Sequence, residues 1–317
     1  MGHGSYSYDA HHALLDHRTG SAESVFTQRG CHPLMNPHGV RFRESRDSVD
    51  HPHSLGVVFA LDVTGSMGDI PRLLATEQLP GFMKLLYDCG VPDPQLLFMA
   101  IGDGVSDSAP LQVGQFESTG ELMDAWLTRA WLEAGGGGTN EESYELGLYF
   151  LARHTSLDCV EKRGKKAYVF MTGDERPYPV LARSIVHRVV GDELDDDVKV
   201  EAIVAEARKT YEPFFIIPDQ RRRMQCEREW RRLLGENVLC VNDPEDVCYA
   251  AAGALLINEG LVPGLSELVA VFNKAGLPQK QAEGVVRALE PFAATRGIGR
   301  ASVLGQLQGL VTGLFRK

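Results

Sequence analysis

The sequence has few of the features that mark membrane, secreted or nucleotide-binding proteins. No apolar run approaches the ~20 residues needed to cross a bilayer, so we expect no membrane partner. The first residues show no basic region followed by an apolar stretch, and hence no recognisable secretory signal. The sequence also has no Gly-x-x-x-x-Gly-Lys-Ser/Thr loop and no dinucleotide fingerprint. These absences favour a cytoplasmic protein without a visible nucleotide site.

Cysteine pairs and excess positive charge are also missing. The six cysteines show no Cys-x-x-Cys spacing and are most simply reduced thiols, as expected in a cytosol. The 32 basic and 43 acidic side chains give a formal net charge of −11, which argues against a general nucleic-acid binder. The chain has 317 residues and a hydrophobic fraction of 44%, which predict a packed globular fold with room for an accessory module.

The most informative segment is an apolar run, starting at Gly56, that stops at the acidic residue Asp62. Two hydroxyls follow at alternate positions, Thr64 and Ser66. An apolar run of this kind predicts a buried strand, so the polar residues lie at the carboxyl edge of a sheet. Hard oxygen ligands suit Mg²⁺, with Mn²⁺ as a competitor, and do not suit a soft metal.

Two later loops supply further oxygen ligands. A run of four glycines precedes Thr139 and the start of a helical pattern, which places this hydroxyl on a loop able to move. A second apolar strand, residues 166–172, ends in Gly173 and Asp174. Because strand ends of a doubly wound sheet can share one crevice, we expect these residues to lie near Asp62.

This pattern resembles the metal-ion-dependent adhesion site of von Willebrand factor type A (VWA) domains. Five residues carry the resemblance, in the order Asp62, Thr64, Ser66, Thr139 and Asp174. It implies a Rossmann-like fold over residues 54–259, roughly two thirds of the chain. It further implies that Thr64 and Ser66 ligate Mg²⁺ directly and that the two aspartates act largely through bound water. Thr139 would join them in the ligand-ready state.

The function implied by the resemblance is recognition without bond making or breaking. An open metal position would accept an Asp or Glu of a protein partner, which makes the chain a Mg²⁺-dependent adaptor and not an enzyme. Intracellular, bacterial-like members of the family often act in multiprotein assemblies, including ones driven by AAA-type ATPases. An AAA-type ATPase assembly is therefore a candidate partner.

Two alternatives compete with this interpretation. A Mg²⁺-dependent hydrolase or phosphotransferase would need a nucleophile or base, for which Asp103, Asp107 and Glu175 are the candidates, although they form no recognised motif. Polar residues after a strand are also common in turns and helix caps. Asp69, which precedes Pro71, is interpreted as such a cap.

Strands and helices alternate through the middle of the chain, which predicts a doubly wound, mostly parallel α/β sheet. Residues 1–53 form a histidine-bearing, partly ordered arm, with metal binding by its histidines as the alternative. Residues 40–49 are predicted to form an edge strand or lead-in. Residues 260–317 form a small helical region that packs on the main domain or docks a partner, the exposed aliphatics of 304–315 favouring a partner.

Two charged segments also have competing interpretations. The arginine-rich segment 220–234 is predicted to be an exposed amphipathic helix, and a nucleic-acid patch is the alternative. The acidic segment 192–197 is predicted to be a solvated turn and helix start, with a cation-binding loop as the alternative.

Overall fold

The computed structural model describes residues 4–15, 22–63, 67, 69–133 and 140–299. The strands in these ranges are β1 Arg43–Ser45, β2 Leu55–Asp62, β3 Pro94–Ile101, β4 Leu111–Val113, β5 Glu141–Glu142, β6 Thr155–Leu157, β7 Ala167–Thr172, β8 Arg176–Pro177, β9 Val180–Leu181, β10 Val198–Lys199, β11 Tyr211–Ile217 and β12 Val238–Cys240. The helices are α1 Tyr8–Leu15, α2 Ala22–Val25, α3 Asp69–Leu73, α4 Leu79–Asp88, α5 Gly120–Thr128, α6 Tyr144–Arg153, α7 Asp158–Glu161, α8 Arg183–Val189, α9 Val200–Ala207, α10 Gln220–Leu234, α11 Val247–Asn258, α12 Leu265–Lys274 and α13 Gln279–Thr295. A π-helical turn, Leu74–Gln78, joins α3 to α4.

The central sheet has six strands in the order β12-β11-β7-β2-β3-β4. All neighbours pair in parallel except β3 and the edge strand β4, which are antiparallel. The chain passes from β2 outward to β3 on one side, and from β7 outward to β11 and β12 on the other. The prediction of a doubly wound, mostly parallel α/β sheet is therefore confirmed, and its topological switch point lies between β2 and β7.

A row of buried phenylalanines crosses one face of the sheet. Phe98, Phe59, Phe170 and Phe214 come from four neighbouring strands, and their ring centroids lie between 5.2 and 6.2 Å apart. Phe82 of α4 packs edge-on against Phe59 at 5.0 Å. Because every residue of β2, β3 and β7 is buried, these strands are covered on both faces, as parallel strands require.

A second aromatic group covers the opposite face. Phe215 follows Phe214 in β11, and consecutive strand residues point to opposite sides of a sheet. Its ring stacks on Trp230 of α10 at 3.9 Å and meets Tyr144 of α6 edge-on at 5.2 Å. Helices α6 and α10 therefore cover this face, while α4 covers the other.

The helical C-terminal region packs on the phenylalanine face. Phe292 of α13 lies edge-on against Phe214, with ring centroids 5.0 Å apart. Gly253 allows α11 and α13 to approach closely, because a Cβ there would lie 2.5 Å from a methyl group of Leu289. The region thus extends the core up to Ile298, whereas the predicted partner-docking segment 304–315 lies outside the described residues.

The described N-terminal segments pack against the sheet domain. The predicted edge strand is present as β1, which pairs in parallel with β6. Arg46 bridges Asp158 and Glu161, both at 2.9 Å, and Arg163 donates to Asp47 at 2.7 Å. Histidine metal binding finds no support here, because no group of three His, Cys, Asp or Glu side chains in the described ranges is arranged to hold a metal.

The acidic segment 192–197 is a largely exposed loop, as predicted, but it is not the predicted helix start. It does not begin the helix that follows it, since α9 starts at Val200 with Lys199 as its N-cap. Asp197 instead accepts a hydrogen bond from the backbone N–H of Arg183, at 2.9 Å, and so stabilises the start of α8. Helix α8 was not predicted, because its seven residues are too few for a clear helical period.

Two smaller predictions are confirmed. Helix α10 has the predicted bounds and is amphipathic, with Trp230 and Leu234 buried and Arg223 and Arg232 exposed. All six cysteines are free thiols. Among the helices of the described ranges, none is both long enough and apolar enough to cross a bilayer.

Candidate functional site

The two predicted site aspartates come together at the switch point of the sheet. Asp62 is the last residue of β2, and Asp174 follows β7 by two residues. The pairing of Leu61 with Thr172 sets the two strand ends side by side. The side chains are 0% and 2% exposed, respectively. The crevice where a doubly wound sheet binds ligands is therefore lined by two buried carboxylates.

Asp62 is held by a tyrosine from α6. The hydroxyl of Tyr144 donates to Oδ2 of Asp62 at 2.6 Å, and both side chains are buried. Burial, and then the negative charge of Asp62, raises the pKa of Tyr144 far above its usual value, so the phenol remains a donor. Gly173 leaves room for this contact, because a Cβ there would lie 2.0 Å from the tyrosine oxygen.

Asp174 faces a cation. Nε of Arg222, in the first turn of α10, lies 3.5 Å from Oδ2 of Asp174, and Nη1 lies 3.9 Å from Oε1 of Glu175. Burial, and then the charge of Asp174, raises the pKa of Glu175. A single guanidinium therefore faces two neighbouring carboxyl groups that are largely removed from water.

Glu142 adds a fourth carboxyl group to this edge. Its side chain is 5% exposed, and its Oε2 has no hydrogen-bond partner among the described residues. Burial, followed by the charges of Asp62 and Asp103, raises the pKa of Glu142 to about 9. Glu142 therefore holds its proton near neutral pH, and four carboxyl groups share this edge of the sheet with the guanidinium of Arg222.

This donor set fits a hard divalent cation. Buried carboxyl oxygens such as Oε2 of Glu142 and of Glu175 have no hydrogen-bond partner among the described residues, which is costly unless a cation or water compensates them. Oxygen is also the ligand that Mg²⁺ prefers. The described residues alone do not complete a centre, since they include no group of three His, Cys, Asp or Glu side chains placed to hold an ion.

The three predicted hydroxyl ligands, Thr64, Ser66 and Thr139, lie outside the described residues. So does the side chain of Asp69, the predicted helix cap, although the backbone begins α3 at that residue. The structure therefore brings together Asp62 and Asp174 of the five predicted ligands. The roles of the other three stay predictions.

Asp103 and Asp107, two of the three candidates for an enzymatic role, stabilise a neighbouring loop. Oδ1 of Asp103 accepts from the hydroxyl of Tyr178 at 3.0 Å, and Oδ2 accepts from Ser106 at 2.8 Å. Asp107 accepts from the backbone N–H of Asp103 at 2.8 Å. Burial raises the pKa of Asp107, and a Cβ at Gly102 would lie 2.4 Å from its carboxyl oxygen. Both oxygens of Asp103 are thus engaged in hydrogen bonds that shape the loop.

Sequence reasoning missed three residues of the site, namely Tyr144, Glu142 and Arg222. Glu142 and Tyr144 follow the predicted ligand Thr139 closely, and this proximity was the available signal. Arg222 was one of several arginines in a predicted surface helix, and nothing local distinguished it. Its contact with Asp174 depends on how α10 packs against β8 and β11.

Comparisons with known proteins leave the family open. No family model and no curated protein matches the chain. Proximal thread matrix protein 1 of the mussel byssus is similar at 12% identity and a TM-score of 0.41, over 70% of this chain and 51% of that one. The pilus adhesin SpaC of Lactobacillus rhamnosus GG, in its open conformation, gives 10% identity and a TM-score of 0.45, over 68% of this chain and 31% of that one.

A von Willebrand factor type A structure from Catenulispora acidiphila is similar at 12% identity and a TM-score of 0.36, over 70% of this chain and 50% of that one. The chain thus spans about half, or less, of each of these structures. Because their TM-scores lie below 0.5, these similarities do not support any inference about function. The fold class rests on the strand order and directions described above.

Proposed function

We propose that the chain is a VWA-type interaction module that holds Mg²⁺, with Mn²⁺ as a competitor, at the switch point of its sheet. The single observation that carries the proposal is the burial of Asp62 and Asp174 side by side where β2 and β7 end. Thr64, Ser66 and Thr139 are the proposed hydroxyl ligands. When bound, the ion would supply an open position that an Asp or Glu of a partner protein can fill.

The chain's own residues would prepare this centre before any ion arrives. Tyr144 orients Asp62 through its 2.6 Å hydrogen bond. The absence of a side chain at Gly173 leaves room for the phenol. Asp174 follows β7 by two residues, next to the end of β2, and both carboxylates are buried, so they have little freedom to lose on binding. Such preorganisation favours tight and selective binding of an ion.

The proposed biological role is that of a cytoplasmic adaptor without catalytic activity, and an AAA-type ATPase assembly is a candidate partner. The competing role is that of a Mg²⁺-dependent hydrolase or phosphotransferase. Assays with model phosphoesters and Mg²⁺ separate the two, because an adaptor gives no turnover above a metal-only control. Turnover that disappears in an Asp103→Asn variant would favour the enzyme.

Calorimetric titration of the full chain with Mg²⁺ tests the metal centre. Asp62→Asn keeps the shape of the side chain and an acceptor for Tyr144 but removes the charge, so the fold should persist while Mg²⁺ affinity falls at least tenfold. Asp196→Asn, at an exposed position, is the matched control and should bind like the wild type. Unchanged affinity in Asp62→Asn and in Asp174→Asn would sink the assignment.

A further inference from the structure

Arg222 of α10 faces the carboxyl groups that follow β7. Its side chain is 39% exposed, and its guanidinium lies 3.5 Å from Asp174 and 3.9 Å from Glu175. At these separations it forms ion pairs, and no hydrogen bond of the guanidinium occurs among the described residues. A guanidinium has five N–H donors, so this one keeps unused donors that reach solvent.

Three other arginines of the helix are engaged with glutamates. Arg223 donates to Glu227 at 2.9 Å, Arg231 donates to the same carboxylate at 2.7 Å, and Arg232 donates to Glu229 at 3.0 Å. These pairs lie along the helix surface and stabilise it locally. Arg222 is instead directed to the strand-end carboxyl groups, where it lies at the edge of the proposed metal centre.

The charge around Arg222 changes when a divalent cation occupies the site. Without the ion, the guanidinium is a cation paired with Asp174, whose side chain is 2% exposed. A bound ion would take over the attraction to Asp174 and would repel the guanidinium, because both are positive. A long, half-exposed side chain with unused donors can then turn toward an anion arriving from solvent.

We propose that Arg222 is the second anchor for the partner, binding a carboxylate next to the one that enters the metal site. This inference rests on the function proposed above and refines it, because it requires a partner segment with two neighbouring acidic residues. Arginine suits this role, since its planar fork binds a carboxylate through two parallel hydrogen bonds. Before ion binding, the same guanidinium serves as a substitute cation for Asp174.

The test uses the full chain, Mg²⁺ and two fluorescent peptides that differ in one residue. One peptide carries two adjacent glutamates in a Gly/Ser background, and the other has Gln in place of the second glutamate. At saturating Mg²⁺, the wild type should prefer the two-glutamate peptide by about tenfold in fluorescence polarisation. Arg222→Gln should lose this preference, and Arg222→Lys should retain part of it.

A second readout separates recognition from a purely structural role. Arg222→Gln should bind Mg²⁺ at least as tightly as the wild type, because a repelling charge is gone. Its melting temperature should fall in EDTA, where the ion pair between Asp174 and residue 222 is lost, and should recover in Mg²⁺. Arg228→Gln, exposed on the same helix, is the matched control and should match the wild type in every assay.

The outcomes distinguish this inference from the proposal on which it depends. If the wild type shows Mg²⁺-dependent peptide binding that Asp62→Asn abolishes, while Arg222→Gln keeps the two-glutamate preference, only the role of Arg222 is overturned. If the wild type binds neither peptide in a Mg²⁺-dependent manner, both are overturned. Weaker Mg²⁺ binding in Arg222→Gln would also contradict the proposed repulsion.

Discussion

The hydroxyl of Tyr144 donates a 2.6 Å hydrogen bond to Oδ2 of Asp62, across 82 positions of sequence. Both groups are buried, so the bond joins the start of α6 to the end of β2 in a region from which water is excluded. A buried carboxylate needs such a donor, because desolvation without compensation is costly. The hydrogen bond therefore both stabilises the fold and sets the orientation of the candidate metal ligand.

Replacing Tyr144 with Phe should lower the free energy of unfolding in EDTA by about 1–3 kcal/mol, since it leaves a buried carboxylate oxygen without its donor. Mg²⁺ affinity should also fall, because Asp62 loses its orientation. Urea denaturation and calorimetry measure the two effects. The matched control is Tyr149→Phe on the same helix. It removes an equally short hydrogen bond to the half-exposed Asp192. It should leave Mg²⁺ affinity unchanged.

Stability without metal should fall as the pH rises. The pKa of Glu142 is raised from 4.5 to about 9, so the folded protein holds a proton that the unfolded chain releases between these values. The stabilising contribution of protonated Glu142 is complete below pH 4.5 and is lost as the pH approaches about 9. Glu142→Gln cannot ionise and should show a shallower decline. Denaturation curves in EDTA from pH 5 to 9 measure the slopes, and equal slopes for both proteins would contradict the assigned burial.

Phe292 should be essential to the stability of the whole fold. Its ring packs 5.0 Å from Phe214 of the central sheet, so Phe292→Ala should cost about 3–5 kcal/mol through lost burial and the resulting cavity. Phe42→Ala removes an exposed ring and is the control. Chemical denaturation measures both. A loss below 1 kcal/mol for Phe292→Ala would mean that the C-terminal helices contribute little to the core.

The predicted loop ligand can be tested apart from the others. Thr139→Ala should weaken Mg²⁺-dependent binding of the two-glutamate peptide several-fold while Mg²⁺ stays bound, because Asp62, Thr64, Ser66 and Asp174 would still hold it. Calorimetry with Mg²⁺ and polarisation with the peptide separate the two steps. Peptide binding that resists both EDTA and the Thr139→Ala change would place recognition on another surface.

Much of the fold follows from local periodicity. The apolar runs of β2, β3, β7 and β11 are long enough to identify buried strands, and the helical repeat identifies α4, α6 and α10. Two-residue strands such as β5 and β8 have no such signature, because so short a segment carries no period. They form only because each pairs with a segment that is distant in the sequence.

The sequence by itself determined that two carboxylates lie at the carboxyl edge of the sheet. Asp62 and Asp174 each follow an apolar run that forms a strand, and parallel strands align their carboxyl ends. Only the tertiary structure decided what surrounds them. The contacts of Asp62 with Tyr144 and of Asp174 with Arg222 depend on the faces that α6 and α10 turn toward the sheet. These faces are set by packing around Phe215 and Trp230, that is, by contacts between residues far apart in the chain, which no local pattern encodes.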